Sequence, residues 1–325
     1  MAALAHGTYV DSSGNLRPSP GSSGGRRDTE MRLQNSHFRS LADMSPRSQP
    51  GQAGQQGFID QLRASFAFTW RSALGVLLAI QLVLYVASCW LVRPRALTQP
   101  TSAALWKIGS SCHFQERCAS AAGGKFLFEL RRPFTAIFLH GSLSHILFNV
   151  IFQVLCGPQA TQKLGNAGFL CLFLVTGAFG NLFSAAVAVS DCGVGASTAC
   201  YGIVGAFLAH LWLAWGHMDP AWRKWSRNML LLNGVVMVIW ELIGWSKLDH
   251  FGHLGGLLSG FPLAVILSPG DSSLYSRRRR QACSALLILG ILACCVKVFL
   301  WGSGDKSIET LQVLCEQSWH RYSAD

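Results

Sequence analysis

GASTACYGIVGAFLAHLWLAW, residues Gly195–Trp215, holds no charged side chain and is long enough to cross a bilayer as a helix. A spanning helix needs about 20 predominantly apolar residues to traverse roughly 30 Å of hydrocarbon. Near its start the run carries Ser197, and HLGGLLSG (His253–Gly260), at the start of another apolar run, carries His253. A hydroxyl and an imidazole in such runs are unfavourable unless they face protein or a water-filled cavity, and groups kept there commonly mark function. Together the two runs point to serine-nucleophile chemistry within a membrane.

The rest of the chain agrees. Its 325 residues are 50% hydrophobic and 13% charged, where a soluble chain carries about 25% charged residues. No Lys or Arg occurs from Gly165 to Trp222. Seven spans are expected, at about Ala73–Val92, Leu143–Val154 with its flanks, Gly168–Val189, Thr198–Trp215, Met229–Gly244, Phe251–Leu267 and Ala282–Trp301. The second is interrupted by His140, His145 and Asn149. The expected fold is an all-α polytopic membrane protein.

Three regions follow. Residues 1–71, rich in Ser, Gly, Arg and Gln, read as a disordered cytoplasmic tail. Residues 72–301 are the membrane domain, with a long first loop at about 93–132, and residues 302–325 form a polar tail. The loop holds Trp106, Phe114, Phe126 and Phe128, suited to the membrane interface. No apolar stretch near Met1 reads as a signal peptide, and Asp11, Asp28 and Glu30 argue against a mitochondrial presequence.

The net charge of +11 fits topology better than nucleic acid, since no basic stripe with interleaved aromatics is present. Eight Arg precede the first span; Lys163, the Arg223–Lys224–Arg227 group and Arg277–Arg280 follow the second, fourth and sixth. This obeys the positive-inside rule with a cytoplasmic N-terminus. Arg93 and Arg95 break it, but in a long loop, where charge weighs less. Of eleven Cys, most sit in apolar runs; Cys112 and Cys118 fall in the first loop, expected on an oxidising side where a disulfide between them can form.

With that topology His145, Asn149, Ser197 and His253 fall at similar depth on one side, from three different helices. His145 and Asn149, four residues apart, share a helix face. A serine hydroxyl needs a neighbouring base to become a nucleophile, and His253 is the candidate base and later acid. His145, the Asn149 amide and the Ser197 N–H are candidate oxyanion donors. Asp249, four residues before His253, is poorly placed to orient that ring, so a Ser–His dyad is the simpler reading. Gly195 permits a tight approach to Ser197, and Gly252, Gly256 and Gly260 form a small-residue face that lets helices come close.

Singly these features say little. A lone membrane serine usually bonds its own helix, and G-xxx-G alone is usually packing. His210 reads as structural and Glu241 has no assigned role. HFGH at His250–His253 lacks the Glu and spacing of a zinc motif, so neither metal nor cofactor is expected.

In combination, the motifs resemble the rhomboid family of intramembrane serine proteases. RPFTAIFLHGSLSHILFN (Arg132–Asn149) is similar to the family's R-xx-T-xx-FLH-xxxx-H-xxx-N block, GASTACYGIVGA (Gly195–Ala206) to its nucleophile block and HLGGLLSG to its H-xx-G-xxx-G block; GNLFSA (Gly180–Ala185) also fits. The resemblance implies a six-helix bundle, here with one additional C-terminal transmembrane helix as in the secretory six-plus-one type. It implies Ser197 as nucleophile, His253 as its partner, and His145 and Asn149 at the oxyanion. Tyr201 corresponds to the aromatic stacked near the catalytic His, and Arg132 to the Arg of a first-loop Trp–Arg pair. Arg131 stands where that Trp is common, and Thr198 where Gly is usual, which sets a β-branched side chain beside the oxyanion site. The implied activity is endopeptidase cleavage of single-span membrane proteins near the outer face, in the plasma membrane or Golgi. The alternative is an inactive relative that binds transmembrane helices and controls their trafficking. Neither oligomeric state nor the substrate's identity follows from the sequence.

Overall fold

In the computed structural model the described residues are 8–10, 16–18, 69–90, 98–101, 104–105, 108–112, 131–187, 192–217, 220–243, 248–268 and 276–300. Met1–Gln61 and Leu62–Asp325 are separate compact units. In the first, β1 (Thr8–Val10) pairs antiparallel with β2 (Leu16–Pro18). This is local order in a segment whose composition suggested none. Trp106, Phe114, Cys118, Phe126 and Phe128 of the first loop lie outside the described residues.

The second unit is helical. Its helices are α1 (Ala73–Trp90), α2 and α3 within the continuous segment Leu143–Val187, α4 (Ser197–Ala214), α5 (Pro220–Ile243), α6 (His250–Leu267) and α7 (Arg277–Cys295). A π turn, Val296–Leu300, continues α7. Gly165, at φ 73°, divides α2 from α3; its missing Cβ makes this positive-φ stop accessible without strain. Among the described residues five helices, counting Leu143–Val187 as one, are long and apolar enough to cross a membrane. The fifth expected span, Met229–Gly244, overlaps α5 as far as Ile243, and α5 is not among these five.

The polar residues that interrupt the second span do not break α2. Asn149 Nδ2 donates to the His145 carbonyl, Gln153 Nε2 to Asn149, Gln159 Nε2 to Leu155 and Thr161 Oγ1 to Gly157, at 2.8–3.1 Å. Each reaches one turn back along its own helix, so these groups are satisfied without water. Gln153 also exchanges two hydrogen bonds with Gln81 of α1, at 2.9 and 3.0 Å. Both amides are fully buried, so α1 is clasped to α2 by a closed polar pair.

Phe169, Leu172 and Phe173 of α3, Ile203 of α4 and Leu74 of α1 fill the centre. Val83, Trp212 and Leu289 face outward, as lipid-facing side chains do. Half of the α6 span is buried but only 11% of the α7 span, so α7 is a peripheral addition to the bundle. It is held by a small cluster of Leu182, Ala185, Cys294 and Val298, and by Arg280 Nη1 donating to the Ile266 carbonyl at 3.1 Å.

A one-turn helix, Arg132–Thr135, and a 3-10 turn, Ala136–Phe138, lie in the sequence ahead of α2. Arg132 Nη1 donates to Ser110 at 2.9 Å, Arg131 Nη1 to Ile108 at 3.2 Å and Thr135 Oγ1 to Gly109 at 2.6 Å, all to carbonyls of the first loop. Beyond these, β3 (Ser111–Cys112) pairs antiparallel with β4 (Cys192–Gly193), a short pairing that the sequence did not signal.

Candidate active site

Ser197 is the first residue of α4. The turn before it depends on Gly195, whose φ of 126° is one L side chains rarely adopt. A Cβ there would also fall 2.6 Å from the His145 ring, and the Gly195 N–H donates to the Ala136 carbonyl at 2.9 Å. The glycine thus lets the chain pass between His145 and the 3-10 turn and present the Ser197 hydroxyl.

His253 sits one turn into α6, buried. The start of α6 is fixed by Asp249, whose carboxylate accepts from the Gly252 N–H at 2.8 Å and from Ser184 Oγ at 2.5 Å. Asp249 is therefore an N-cap held by α3, consistent with the view that it does not orient the His253 ring.

α4 and α6 touch backbone to backbone. A Cβ at Gly256 would fall 2.0 Å from the Thr198 carbonyl oxygen and one at Gly260 2.1 Å from that of Gly202. This approach brings His253 Nε2 to 2.8 Å from Ser197 Oγ. Tyr201, one turn after Ser197 on the same face, stacks on the His253 ring with centroids 4.4 Å apart and planes 9° apart. The stack holds the plane of the imidazole.

His145 lies on the first turn of α2, its Nε2 buried and without a hydrogen-bond partner among the described residues. Together with the contact it would make on a Gly195 Cβ, this sets an unsatisfied nitrogen beside the Ser197 turn. Asn149 lies one turn deeper and is differently engaged. Its Nδ2 donates to the His145 carbonyl and its Oδ1 accepts from Cys200 Sγ at 3.7 Å. An amide carries two N–H groups, so this side chain offers one donor beyond the intrahelical bond.

Thr198 is buried, and Cβ atoms added at Gly180 and Gly252 would fall 2.9 and 3.1 Å from its side chain. Its Cβ and methyl group thus pack into the α3–α6 contact, because consecutive helical residues are rotated by about 100°. Arg131 likewise does not leave the first loop unanchored, since it joins Arg132 and Thr135 in holding it.

Several positioning residues escaped the sequence reading. Asn181 Nδ2 of GNLFSA donates to the Pro133 carbonyl at 2.7 Å, tying α3 to the turn ahead of α2. Ser184, from the same motif, holds Asp249. His140 is fully buried, edge-on to His145 with centroids 5.2 Å apart. Its ring nitrogens make no hydrogen bond of ordinary geometry among the described residues. Burial, then His145, holds its pKa down to about 3, against a weaker upward pull from the Phe138 backbone. The signal for Asn181 and Ser184 was present in GNLFSA, but their partners are remote in sequence. His210, at the other end of α4, contacts Lys163 of α2. The Glu241 side chain lies outside the described residues.

Comparison with known proteins follows the same residues. Residues 127–270 match the Rhomboid domain. The chain's likeness to the rhomboid family rests on that segment. Its likeness to Rhomboid-like protease 3 of Toxoplasma gondii is 28% identity over 221 residues, 67% of this chain and 78% of that protein. With Rhomboid-like protease 1 of the same organism it is 34% over 131 residues, 40% and 44% of the two chains. The Inactive rhomboid protein 1 of Bos taurus is 28% identical over 172 residues, covering 52% of this chain and 20% of that one. All the polar contacts just described, except those of the first-loop carbonyls, are made within the matched rhomboid segment.

Proposed function

We propose that this chain is a rhomboid-type intramembrane serine endopeptidase that cuts single-span transmembrane proteins near the outer membrane face through a Ser197–His253 dyad. The observation that carries this reading is the 2.8 Å contact between Ser197 Oγ and His253 Nε2, with Tyr201 stacked on the ring.

The reaction follows from those atoms. With its proton on Nδ1, His253 accepts the serine proton at Nε2. The alkoxide attacks the scissile carbonyl, and the oxyanion meets the Ser197 N–H and His145 Nε2, with the second Asn149 N–H in reserve. Each such donor is worth about 2.7–4 kcal/mol in the transition state. His253 returns the proton to the leaving amine, then activates water to release the acyl group. Scission needs extended backbone, so substrates with helix-weakening Gly or Pro near the cut are favoured.

The arginine distribution supports a cytoplasmic N-terminus and an exoplasmic site, in the plasma membrane or the secretory pathway. The second reading, a catalytically inactive helix-binding protein, draws on a relative named as inactive. The hydroxyl–imidazole contact favours the first.

The test is cleavage of a transmembrane reporter in cells, with fluorophosphonate labelling of the full chain. Ser197→Ala and His253→Ala are expected to lose cleavage at unchanged expression, and Ser197→Ala to lose labelling. Undiminished cleavage by either variant overturns the reading.

A further inference from the structure

The first loop and the segment before Ser197 meet as a two-residue antiparallel ladder in which Ser111 faces Gly193 and Cys112 faces Cys192. Directly opposed residues of such a ladder have Cα atoms about 4.5–5.5 Å apart, within the roughly 4.4–6.8 Å that a disulfide bridges. Both strands are anchored. On one side Arg131, Arg132 and Thr135 hold the carbonyls of residues 108–110. On the other, the Gly195 N–H is fixed on Ala136. The ladder thus sets the backbones of the two cysteines opposite each other, although they are far apart in sequence.

We propose that Cys112 and Cys192 form a disulfide that ties the first loop to the strand leading into Ser197. The proposal rests on the orientation given above, in which this end of the bundle faces an oxidising compartment. It replaces the Cys112–Cys118 bridge that sequence proximity suggests. In forming, two thiols give up two protons and two electrons. One cysteine thiolate attacks the disulfide of a luminal oxidant, such as oxidised glutathione or a dithiol oxidoreductase, releasing one thiol; the other cysteine displaces the second and closes the Sγ–Sγ bond. The oxidant leaves as two thiols. The other described cysteines, Cys89, Cys156, Cys171, Cys200, Cys283, Cys294 and Cys295, are in no disulfide and lie on helices. The bridge would hold the approach to Gly195, and hence the Ser197 turn, against loop opening.

The experiment uses the full chain in intact cells. A membrane-impermeant maleimide is applied from outside, the protein is denatured without reductant, remaining thiols are blocked with a maleimide of different mass, and peptides are read by mass spectrometry. The expected product is a linked Cys112–Cys192 peptide, two hydrogens lighter than the separate thiol peptides. It persists in Cys118→Ser and disappears in Cys192→Ser, where Cys112 becomes reactive from outside. Cys192 labelled from outside in the native chain, or a Cys112–Cys118 peptide, overturns the bridge and leaves the orientation standing. In cells that carry the chain at their surface, Cys192 labelled only after permeabilisation overturns both.

Discussion

Gly256 of α6 lies against the Thr198 carbonyl of α4 so closely that a Cβ at Gly256 would fall 2.0 Å from that oxygen. Because the obstacle is backbone, no side-chain rotation can relieve it. Gly256→Ala must push α6 away from α4 and lengthen the Ser197–His253 contact, and a displacement near 1 Å can lower rate by about 100-fold. We expect reporter cleavage to fall by at least that factor while the chain still reaches the membrane, checked by turnover at matched expression. Activity within a few-fold of the parent would mean that the helices are not locked at this point.

Asp249 distinguishes a dyad from a triad. Its carboxylate caps α6 and accepts from Ser184. Asp249→Asn keeps an oxygen for the Gly252 N–H, so cleavage is expected to stay within about tenfold of the parent. Asp249→Ala removes the cap and should lower the thermal midpoint by the equivalent of about 0.5–2 kcal/mol. A loss approaching 10⁴-fold in Asp249→Asn would instead mark a triad member.

The Gln81–Gln153 clasp makes a prediction about coupling. Gln81→Leu leaves the Gln153 amide buried beside an apolar neighbour, a situation that costs about 1–3 kcal/mol. The double change to Leu removes both polar groups and should recover most of that loss. Interhelical hydrogen bonds in membranes couple by about 0.6 kcal/mol on average, so a cycle of thermal midpoints should give a positive coupling of at least that size. Additive losses would show that the two amides act independently.

His140 supplies a pH dependence. Its folded pKa of about 3 lies below the ordinary 6.5, so the unfolded chain takes up a proton that the folded chain refuses. The stability carried by this group is complete above pH 6.5 and falls as pH drops toward 3, by up to about 1.4 kcal/mol per unit. His140→Phe keeps a ring against His145, the nearest titratable neighbour, and should flatten the loss of thermal stability between pH 6 and 4. An unchanged acid slope would assign it to other groups.

The candidate site shows how far pattern reading reaches in such a chain. Ser197 and His253 could be paired from the order of spans, since helices crossing one slab must return polar groups at matching offsets to matching depths. Thr198 could not be placed from spacing alone. Whether it faces the oxyanion position or α3 depends on the rotation of α4 about its axis, which Gly180, Gly252 and Gly256 decide by the room they leave. Spacing puts Asn149 on the face of His145, but its intrahelical hydrogen bond and its contact with Cys200 became visible only with α2 and α4 assembled.

What the chain alone determined was the membrane architecture and the depth of its polar groups, because both follow from local hydropathy and residue count. What only the folded bundle decided were contacts between remote segments: Asp249 with Ser184, Arg132 with Ser110, Gln81 with Gln153, and Cys112 opposite Cys192. Each depends on register and axial rotation between packed elements, and neither quantity is encoded in the periodicity of a single segment.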